Sequence, residues 1–437
     1  MENKNGENVM MVENISFVIN TANNELENLQ LLLKSLQKNL DRDTHQIIVF
    51  IDSDNQGTYE WLKSVKGDFN DLKIITHSLP PCIGYSRNNN LLVELSDNEI
   101  VSYLQSDMVI SPGYDTDILR DLENNCILSA TRVEPPLHGE SPQTITKNFG
   151  ISPNEFNLDE WNQYAPTVKQ DRSSDYFFAP VTFYKSVWLN MGGYDTLFRR
   201  SREDSDLVQR CLHLGIKLKQ THNAIVYHFT CTSSRGKDWH NKDNQEAQER
   251  VKLQNQADML ELRKFIKKWG GFNHGTDKLV RYDVDIIIRN SERISHGNIY
   301  QIEPFFSKVL VDNTNEIEVL HGYQKFENSF ANQLLGFTDE QWNSAKKYYN
   351  QSDNSGIYNT IDNFDNKYNV LVEIDGNNIT QQDMYNIQLI HPILSENSEK
   401  TGQFELGNIK ITINKLVKNT IISMSNPKFD KNLLSIE

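Results

Sequence analysis

The chain has 437 residues, with 44 Lys and Arg against 59 Asp and Glu, so its formal net charge is −15. This length suggests about two or three domains. The 38% hydrophobic content is typical of a soluble globular protein and excludes a disordered chain. The net acidity disfavours binding to nucleic acid or to anionic membranes, because both need clustered Lys and Arg.

The N-terminal sequence has neither the basic start nor the apolar run of a secretion signal. No window of the sequence approaches the roughly 18 apolar residues that a membrane helix needs. We therefore expect a cytoplasmic protein without a membrane span.

Short apolar runs alternate with helical patterns in the first part of the chain. In chain order, the patterns predict a strand at 15–20, a helix from Leu26 to Leu40, strands at 47–51 and 73–76, a helix at 85–95, a strand at 99–104, a helix near 113–124 and a strand at 126–133. This alternation predicts parallel strands joined by crossover helices, and such α/β domains bind ligands at the carboxyl ends of the strands.

The apolar periodicity disappears between residues 135 and 175, which predicts a long loop without regular structure. A loop of this length is more often a lid or a binding loop than a linker, and we interpret it as an acceptor loop. Regular patterns then return as an apolar run at 176–184, a helix at 203–214, a strand at 224–229 and a helical extension over about 238–268.

After about residue 280 the sequence changes to strand-like runs with Asn-rich turns. The runs are DIIIR, KVLV, IEVL, NVLVEI and IKITI, with one or two helices near 326–350. The sequence thus predicts an α/β domain over residues 1–275 and an accessory domain of unknown role, α+β or mostly β, over residues 280–437.

Acidic residues occur where an α/β sheet presents side chains to a ligand. Asp52 follows the second predicted strand, Asp107 follows the fourth, and Glu203 and Asp204 begin a predicted helix. Any one of them alone is more often a turn former or a helix cap. Together they favour a site in which one carboxylate binds a nucleotide, another holds a metal ion and a third acts as a general base.

Four segments resemble, in the same order, the motifs of family 2 glycosyltransferases. They are IIVFIDSDNQGT at 47–58, GYSRNNN at 84–90, YLQSDMVISPG at 103–113 and GGYDTLFRRSREDSDLVQRCLHLG at 192–215. The last segment is similar to the family pattern of G-G-[FY]-D, then E-D-x-D-L, then R, then G. The resemblance covers about residues 12–230.

The resemblance implies the GT-A fold, a Rossmann-like mixed sheet flanked by helices, and transfer of a sugar from a nucleotide-diphosphate donor, with a UDP-sugar expected. The acceptor would be a hydroxyl of a glycan or another molecule, and the reaction would invert the anomeric carbon. The implied donor-binding residues are Thr21, Asn23, Asp52, Arg87, Gln105 and Ser106. The implied metal ligands are Asp107 and His228, and the implied catalytic base is Asp204, with Glu203 beside it.

The sequence departs from the family pattern at two positions. Gln105 stands where the first acid of the D-x-D motif is usual, and Ala22 stands where an aromatic ring follows the first strand. The remaining oxygen ligand suits a divalent cation, Mg²⁺ or Mn²⁺, and a histidine ligand favours Mn²⁺ because imidazole is a softer donor than carboxylate.

Several alternatives stay open. His228 could be an ordinary strand histidine, and Asp54 and Asp206 are interpreted as a turn residue and as a helix-surface or capping residue. A retaining GT-A transferase would share a similar acidic block. A nucleotide-sugar-binding protein without catalysis is a further alternative, for which Gln105 is the only hint.

Overall fold

The computed structural model describes residues 13–78, 84–137, 140–199, 201–230, 239–272, 277–291, 294–312, 357–360, 367–396, 401–420, 422, 424 and 430–437. The chain divides into two compact units. The first combines Met1–Gly193, Leu214–Lys252 and Lys428–Glu437, and the second combines Tyr194–His213 and Leu253–Pro427. The domain boundary near residue 275 stays a prediction. Within the described ranges no helix has both the length and the apolar character needed to cross a bilayer.

Strands and helices alternate along most of the described chain. The strands are β1 (Ile15–Thr21), β2 (Gln46–Ile51), β3 (Leu72–His77), β4 (Ile100–Gln105), β5 (Met108–Ile110), β6 (Cys126–Glu134), β7 (Thr144–Thr146), β8 (Ser173–Ser174), β9 (Val181–Tyr184), β10 (Lys217–His228), β11 (Val284–Arg289), β12 (Lys308–Val311), β13 (Ile357–Thr360), β14 (Val370–Asp375), β15 (Gly402–Leu406), β16 (Ile409–Ile413) and β17 (Leu434–Ile436). The helices are α1 (Leu26–Asn39), α2 (Thr58–Val65), α3 (Tyr85–Leu95), α4 (Tyr114–Asp121), α5 (Leu158–Tyr164), α6 (Lys185–Met191), α7 (Glu203–Leu214), α8 (Gln245–Trp269), α9 (His296–Ile302), α10 (Gln381–Gln388) and α11 (Ile390–Glu396).

The first unit is built on a mixed sheet of order β17-β3-β2-β1-β4-β9-β6-β10-β5, with β7 beside β6 and β8 beside β10. Strands β3, β2, β1 and β4 run parallel to one another. Their register pairs Asn20 with Phe50 on one side and with Gln105 on the other. The carboxyl ends of β1, β2 and β4 therefore meet at one edge of the sheet, which we call the carboxyl edge.

Helix α1 shows how the sequence pattern produces this unit. Its leucines at 29, 32, 33 and 36 are buried, and they recur at the three- and four-residue spacing that forms one helix face. The helix ends at Asn39, because Leu40 adopts an extended backbone conformation. The predicted helix from Leu26 to Leu40 agrees with the structure to within one residue.

The expectation of a long irregular loop over residues 135–175 is wrong. This segment contains β7, α5 and β8, and it packs as an aromatic cluster on β10. Trp161 is fully buried, and its indole N–H donates to the Ile110 carbonyl at 3.0 Å. Phe149 packs edge-on against Trp161 at 5.6 Å between ring centroids. The aromatic residues are spaced irregularly along the chain, so they leave no periodic signal although they form a core. A role of this segment in acceptor binding stays a prediction.

The second unit contains a sheet of order β13-β12-β11-β14-β16-β15. Strands β13, β12, β11 and β14 are parallel, whereas β16 pairs antiparallel with β14 and with β15. Its core is mainly aliphatic, and Val284, Ile286 and Ile288 of the central strand β11 are fully buried. The predicted runs DIIIR, KVLV, NVLVEI and IKITI form strands here. The run IEVL and the helices expected near 326–350 lie outside the described residues.

Candidate functional site

The carboxyl edge of the first unit brings together most of the predicted site residues. Thr21 is the last residue of β1, Gln105 is the last residue of β4, and Asp52 directly follows β2. The Asp52 backbone N–H donates to the Thr21 carbonyl at 2.9 Å, which extends the strand pairing to the end of β1. The parallel register therefore places side chains from three separate strands beside one another.

Asp52 is held by the neighbouring strand β3. The Nε2 atom of His77 lies 2.9 Å from the Asp52 carbonyl oxygen and 3.2 Å from its Oδ1 atom. The His77 ring stacks on Phe50 at 5.6 Å between centroids. Next to Asp52, the hydroxyl of Ser53 accepts the backbone N–H of Asn23 at 3.1 Å, which joins the loop after β1 to the loop after β2. Asp52 therefore has a defined orientation at the edge.

Asp54 does not share this role. Its carboxylate accepts the backbone N–H groups of Gln56, Thr58 and Tyr59 at 2.9–3.0 Å. It satisfies donors in the first turn of α2, as carboxylates commonly do at helix N-termini. The interpretation of Asp54 as a turn residue agrees with this geometry.

The start of α3 supplies the polar groups next to Gln105. The Gln105 amide N–H donates to the Tyr85 hydroxyl at 3.3 Å, and the Tyr85 and Tyr103 hydroxyls are hydrogen-bonded to each other. Among the described residues, the buried Gln105 Oε1 atom has no hydrogen-bond partner. Arg87 is buried on the same helix, at 5% exposure. The edge thus keeps a buried amide oxygen that can accept a hydrogen bond from a ligand.

Asp107 and His228 lie side by side although 121 positions separate them in the sequence. Strand β5 pairs antiparallel with β10, and the register places Met108 opposite His228, next to Asp107. The Nε2 atom of His228 lies 3.7 Å from the Asp107 Oδ1 atom. Both residues are buried, at 1% exposure for Asp107 and 8% for His228. The predicted metal ligands are therefore brought together.

Glu134 determines which nitrogen of His228 carries the proton. Strands β6 and β10 are parallel, so their last residues are neighbours. The His228 Nδ1 atom lies 2.7 Å from Glu134 Oε1, and Arg132 lies 3.4 Å from the same nitrogen. The contact with Glu134 is the shorter of the two, and a carboxylate can only accept a hydrogen bond. We therefore place a proton on Nδ1. Nε2 then keeps its lone pair on the side of Asp107, which is the tautomer that a metal-binding histidine needs.

Glu25 is a buried acid of this site that the sequence did not reveal. Its Oε2 atom accepts the Ser106 hydroxyl at 2.9 Å and the Ala22 backbone N–H at 3.0 Å. Burial, and to a smaller extent the nearby Asp107 carboxylate, raises the pKa of Glu25 to about 7. No sequence signal identified this residue, because it directly precedes α1 and not one of the strands. Glu134 could have been found from the sequence, because it is an acid at the end of a strand. The same criterion identified Asp52 and Asp107.

The described residues contain no group of three or more His, Cys, Asp or Glu side chains arranged to hold a metal ion. Asp107 and His228 nevertheless fit a divalent cation that takes its remaining ligands from solvent and from a diphosphate. Mg²⁺ sites of this type use only one or two carboxylates together with substrate phosphates and water. The bare Nε2 atom beside a buried carboxylate also fits Mn²⁺.

Glu203 and Asp204 belong to the second unit, and they begin α7 as predicted. The Asp204 Oδ1 atom accepts the backbone N–H of Ser205 at 2.6 Å. Burial, and to a smaller extent the Asp204 carboxylate, raises the pKa of Glu203 well above its usual range. Glu203 therefore keeps its proton to a higher pH than an ordinary glutamate does.

The interpretation of Asp206 as a helix-surface or capping residue is wrong. Asp206 is fully buried, and it pairs with Arg210 at 2.8 Å and with Lys268 at 2.7 Å. Lys268 also pairs with Asp195 at 2.6 Å, and the Trp269 indole donates to Asp206 at 2.9 Å. The negative charges of Asp195 and Asp206 are thus neutralised by the positive charges of Arg210 and Lys268 inside the second unit. The acidic block of this motif therefore contains residues that fix α7 against α8 as well as the candidate catalytic pair.

Comparison with known proteins gives the family of the N-terminal segment. The profile described as Glycosyl transferase family 2 matches residues 16–174, which include Asp52, Arg87 and Asp107. Residues 16–174 belong to glycosyl transferase family 2. The matched segment is thus described as a glycosyltransferase domain, and its mixed sheet with flanking helices agrees with the predicted α/β class. No curated protein matches the sequence.

Solved structures similar to this chain are distant. GalNAc-T7 with UDP, GalNAc and Mn²⁺ is 12% identical with a TM-score of 0.38, over 49% of this chain and 43% of that chain. TarS of S. aureus is 14% identical with a TM-score of 0.39, over 67% of this chain and 48% of that chain. Its fragment 1–349 with UDP is 16% identical with a TM-score of 0.37, over 58% of this chain and 72% of that chain. The matched part of this chain spans less than half of the first two structures.

Proposed function

We propose that this protein transfers a sugar from a nucleoside-diphosphate sugar, with UDP as the expected nucleotide, to a hydroxyl group of an acceptor. The observation that carries the proposal is the carboxyl edge of the family 2 domain. There, Asp52, the Gln105 amide and the Asp107–His228 pair come from four different strands or the residues next to them. We assign these groups, in their order along the edge, to the base, the ribose and the diphosphate of the donor.

The nucleoside half of the donor would be bound by neutral and acidic hydrogen-bonding groups. Asp52, oriented by His77, supplies a carboxylate acceptor for a base N–H group. The buried Gln105 oxygen is suited to accept a ribose hydroxyl, so the amide serves where the family usually has an acid. Thr21, Asn23, Arg87 and Ser106 complete the proposed donor contacts.

The diphosphate half would be bound at Asp107 and His228. These two residues would hold a divalent cation, and a cation bound there neutralises the charge that develops on the departing diphosphate. The contact of Glu134 with Nδ1 orients the His228 ring so that its Nε2 atom lies on the side of Asp107. The two buried ligands also exclude bulk water from one side of the site, which strengthens electrostatic interactions there.

The acceptor hydroxyl must lose a proton as its oxygen attacks the anomeric carbon. We assign the acceptance of this proton to Asp204, because the raised pKa of Glu203 favours a Glu203 side chain that already carries a proton and cannot accept another. A single displacement by the acceptor inverts the anomeric configuration, so we propose an inverting transferase. A retaining outcome is the alternative within the same fold.

The test is a panel of UDP-sugars with and without Mn²⁺, followed by thermal shift and by release of UDP. A donor at about 100 times its Kd stabilises the protein by about 2.7 kcal/mol, which is readily measured. We expect UDP release with at least one donor, dependent on the cation and abolished by Asp107→Ala. The exposed Asp159→Asn is the matched control, because its pair with Lys38 lies on the surface.

The outcomes separate the alternatives. Binding of a UDP-sugar without any release of UDP, with or without acceptor candidates, would favour a non-catalytic binding protein. Once a donor is turned over, NMR of the product anomer distinguishes inversion from retention. If no nucleotide or nucleotide sugar binds, the proposed function is wrong.

A further inference from the structure

A buried carboxyl group contacts the turn that carries one of the proposed cation ligands. Glu25 is only 9% exposed, and its Oε2 atom joins two segments of the carboxyl edge. It accepts the Ala22 N–H from the loop after β1 and the Ser106 hydroxyl from the turn between β4 and β5. That turn carries Asp107, so Glu25 contacts the residue that precedes a proposed ligand.

Two other buried acids in the described part of the chain are paired with basic side chains. Asp115 pairs with His45, and Asp206 pairs with Arg210 and Lys268. The main groups that act on Glu25 are the Asp107 carboxylate, the Ser106 hydroxyl and the Ala22 backbone N–H, and none of these is cationic. A buried acid without a cation is costly, and two neighbouring acids are more so.

A cation held by Asp107 would compensate both carboxylates at once. We propose that Glu25 is a positioning residue of the cation site: it holds the Ser106–Asp107 turn and adds a negative charge behind Asp107, without being a ligand itself. This inference rests on the proposed function, because it assumes that Asp107 and His228 bind a divalent cation. Outer residues of this type commonly affect metal affinity by 10–100-fold.

The alternative is a purely structural role, in which Glu25 only ties the loop after β1 to the turn after β4. The two roles differ in what a charge-removing substitution does. Glu25→Gln keeps an oxygen that accepts the two hydrogen bonds, so a structural role predicts little change. A positioning role predicts weaker cation binding, because the second negative charge is lost. Glu25→Ala removes both the charge and the acceptor.

The experiment compares Mn²⁺ affinity by calorimetry in the full-length wild type, Glu25→Gln and Glu25→Ala. UDP affinity without metal and thermal unfolding without metal are measured in parallel. We expect Mn²⁺ affinity to fall by about 10–100-fold in Glu25→Ala and by a smaller factor in Glu25→Gln. Metal-free UDP affinity should stay within about twofold, because the nucleoside contacts are on Asp52 and Gln105. The control is Glu27→Gln, in the first turn of α1.

Three results would overturn the inference. Mn²⁺ affinity of both variants within about twofold of wild type would show that Glu25 does not support the cation site. An equal loss in Glu27→Gln would show an effect of net charge alone. If the wild type binds UDP but no Mn²⁺, the cation part of the proposed function fails together with this inference, whereas equal Mn²⁺ binding by all proteins refutes the inference only. If Glu25→Ala does not fold, Glu25→Gln decides.

Discussion

At the scale of single residues, Asp204 and Glu203 are neighbours with different chemistry. Replacing Asp204 by Asn keeps the oxygen that accepts the Ser205 N–H but removes the basicity. We expect transfer to fall by roughly 10²–10⁴-fold while donor affinity stays within a few-fold. Steady-state kinetics and calorimetry on the same protein measure the two quantities. If Asp204 were only a helix cap, Asn would replace it well. A near wild-type rate of transfer would therefore contradict the assignment, and Glu203 would be the next candidate for the base.

Glu134 controls the tautomer of His228, and its effect can be separated from that of the ligand itself. Glu134→Gln leaves a hydrogen-bond partner at Nδ1 but no longer favours the proton there, because the amide can present either its oxygen or its N–H. We expect Mn²⁺ affinity to fall by roughly 10-fold or more, and to be lost in His228→Ala. Calorimetry in parallel with Glu155→Gln, which removes an acid outside this pair, checks the prediction. Unchanged affinity in Glu134→Gln would show that the tautomer is fixed by another contact.

At the scale of elements, α7 and α8 depend on a buried ionic network in the second unit. Asp206→Asn leaves Arg210 and Lys268 with one carboxylate fewer in a fully buried position. Removing one partner of a buried ion pair typically destabilises a protein by roughly 3–5 kcal/mol. Urea unfolding should show this loss. The exposed pair Glu246–Arg250 on α8 is the control, and Glu246→Gln should change stability by less than about 1 kcal/mol.

Strand β17 adds an edge to the first sheet from a distant part of the chain. Ile74 and Glu437 exchange two backbone hydrogen bonds at 2.8 and 2.9 Å, and the Ser78 N–H donates to Leu433 at 3.0 Å. The register also places Leu434 opposite His77, which orients Asp52. Deleting residues 430–437 should therefore lower the free energy of unfolding by roughly 1–4 kcal/mol, at about 1 kcal/mol per hydrogen bond, and expose the edge of β3.

Thermal unfolding and light scattering of the truncated chain test this expectation. Full stability and no aggregation after the deletion would show that β17 is dispensable. The result also bears on the domain prediction, because a fragment of residues 1–275 lacks this strand. Restored stability of that fragment in the presence of a peptide of residues 430–437 would indicate that the strand belongs to the first unit in solution.

At the scale of the whole molecule, His391 makes stability depend on pH. Burial, followed by the positive charge of Arg281, lowers the pKa of His391 to about 3 in the folded protein. Its ring accepts the Tyr282 N–H at 3.0 Å and donates to the Phe305 carbonyl at 2.8 Å. Below about pH 6.5, His391 binds a proton in the unfolded chain but not in the folded protein. The free energy of unfolding therefore falls as the pH drops toward 3.

The predicted slope is up to ~1.4 kcal/mol per pH unit between pH 6 and pH 4. Urea unfolding of wild type and His391→Gln at several pH values isolates this contribution, because Glu25 and the other titrating groups are common to both proteins. The variant should be less stable at pH 7.5, and the difference should shrink as the pH falls. A constant difference across this range would show that His391 is not kept neutral by folding.

Much of the fold followed from local patterns in the sequence. The spacing of leucines in α1 and the apolar runs of β1, β2 and β4 predicted these elements because a helix or strand must bury one face. The bounds of α3 and α7 agree with the prediction to the residue. The order of motifs around Asp52, Arg87 and Asp107 indicated the family, which the match over residues 16–174 confirms.

Only the tertiary structure decided the partners of the acidic residues. Glu25 meets Ser106 across 81 positions, and His228 meets Glu134 across 94, while Asp206 is buried by residues of α8. The aromatic packing of the segment 135–175 and the addition of β17 to β3 were equally invisible in the sequence. The physical reason is that residue spacing encodes which local face is buried. Which charges then meet depends on strand order and register, which link segments far apart in the chain.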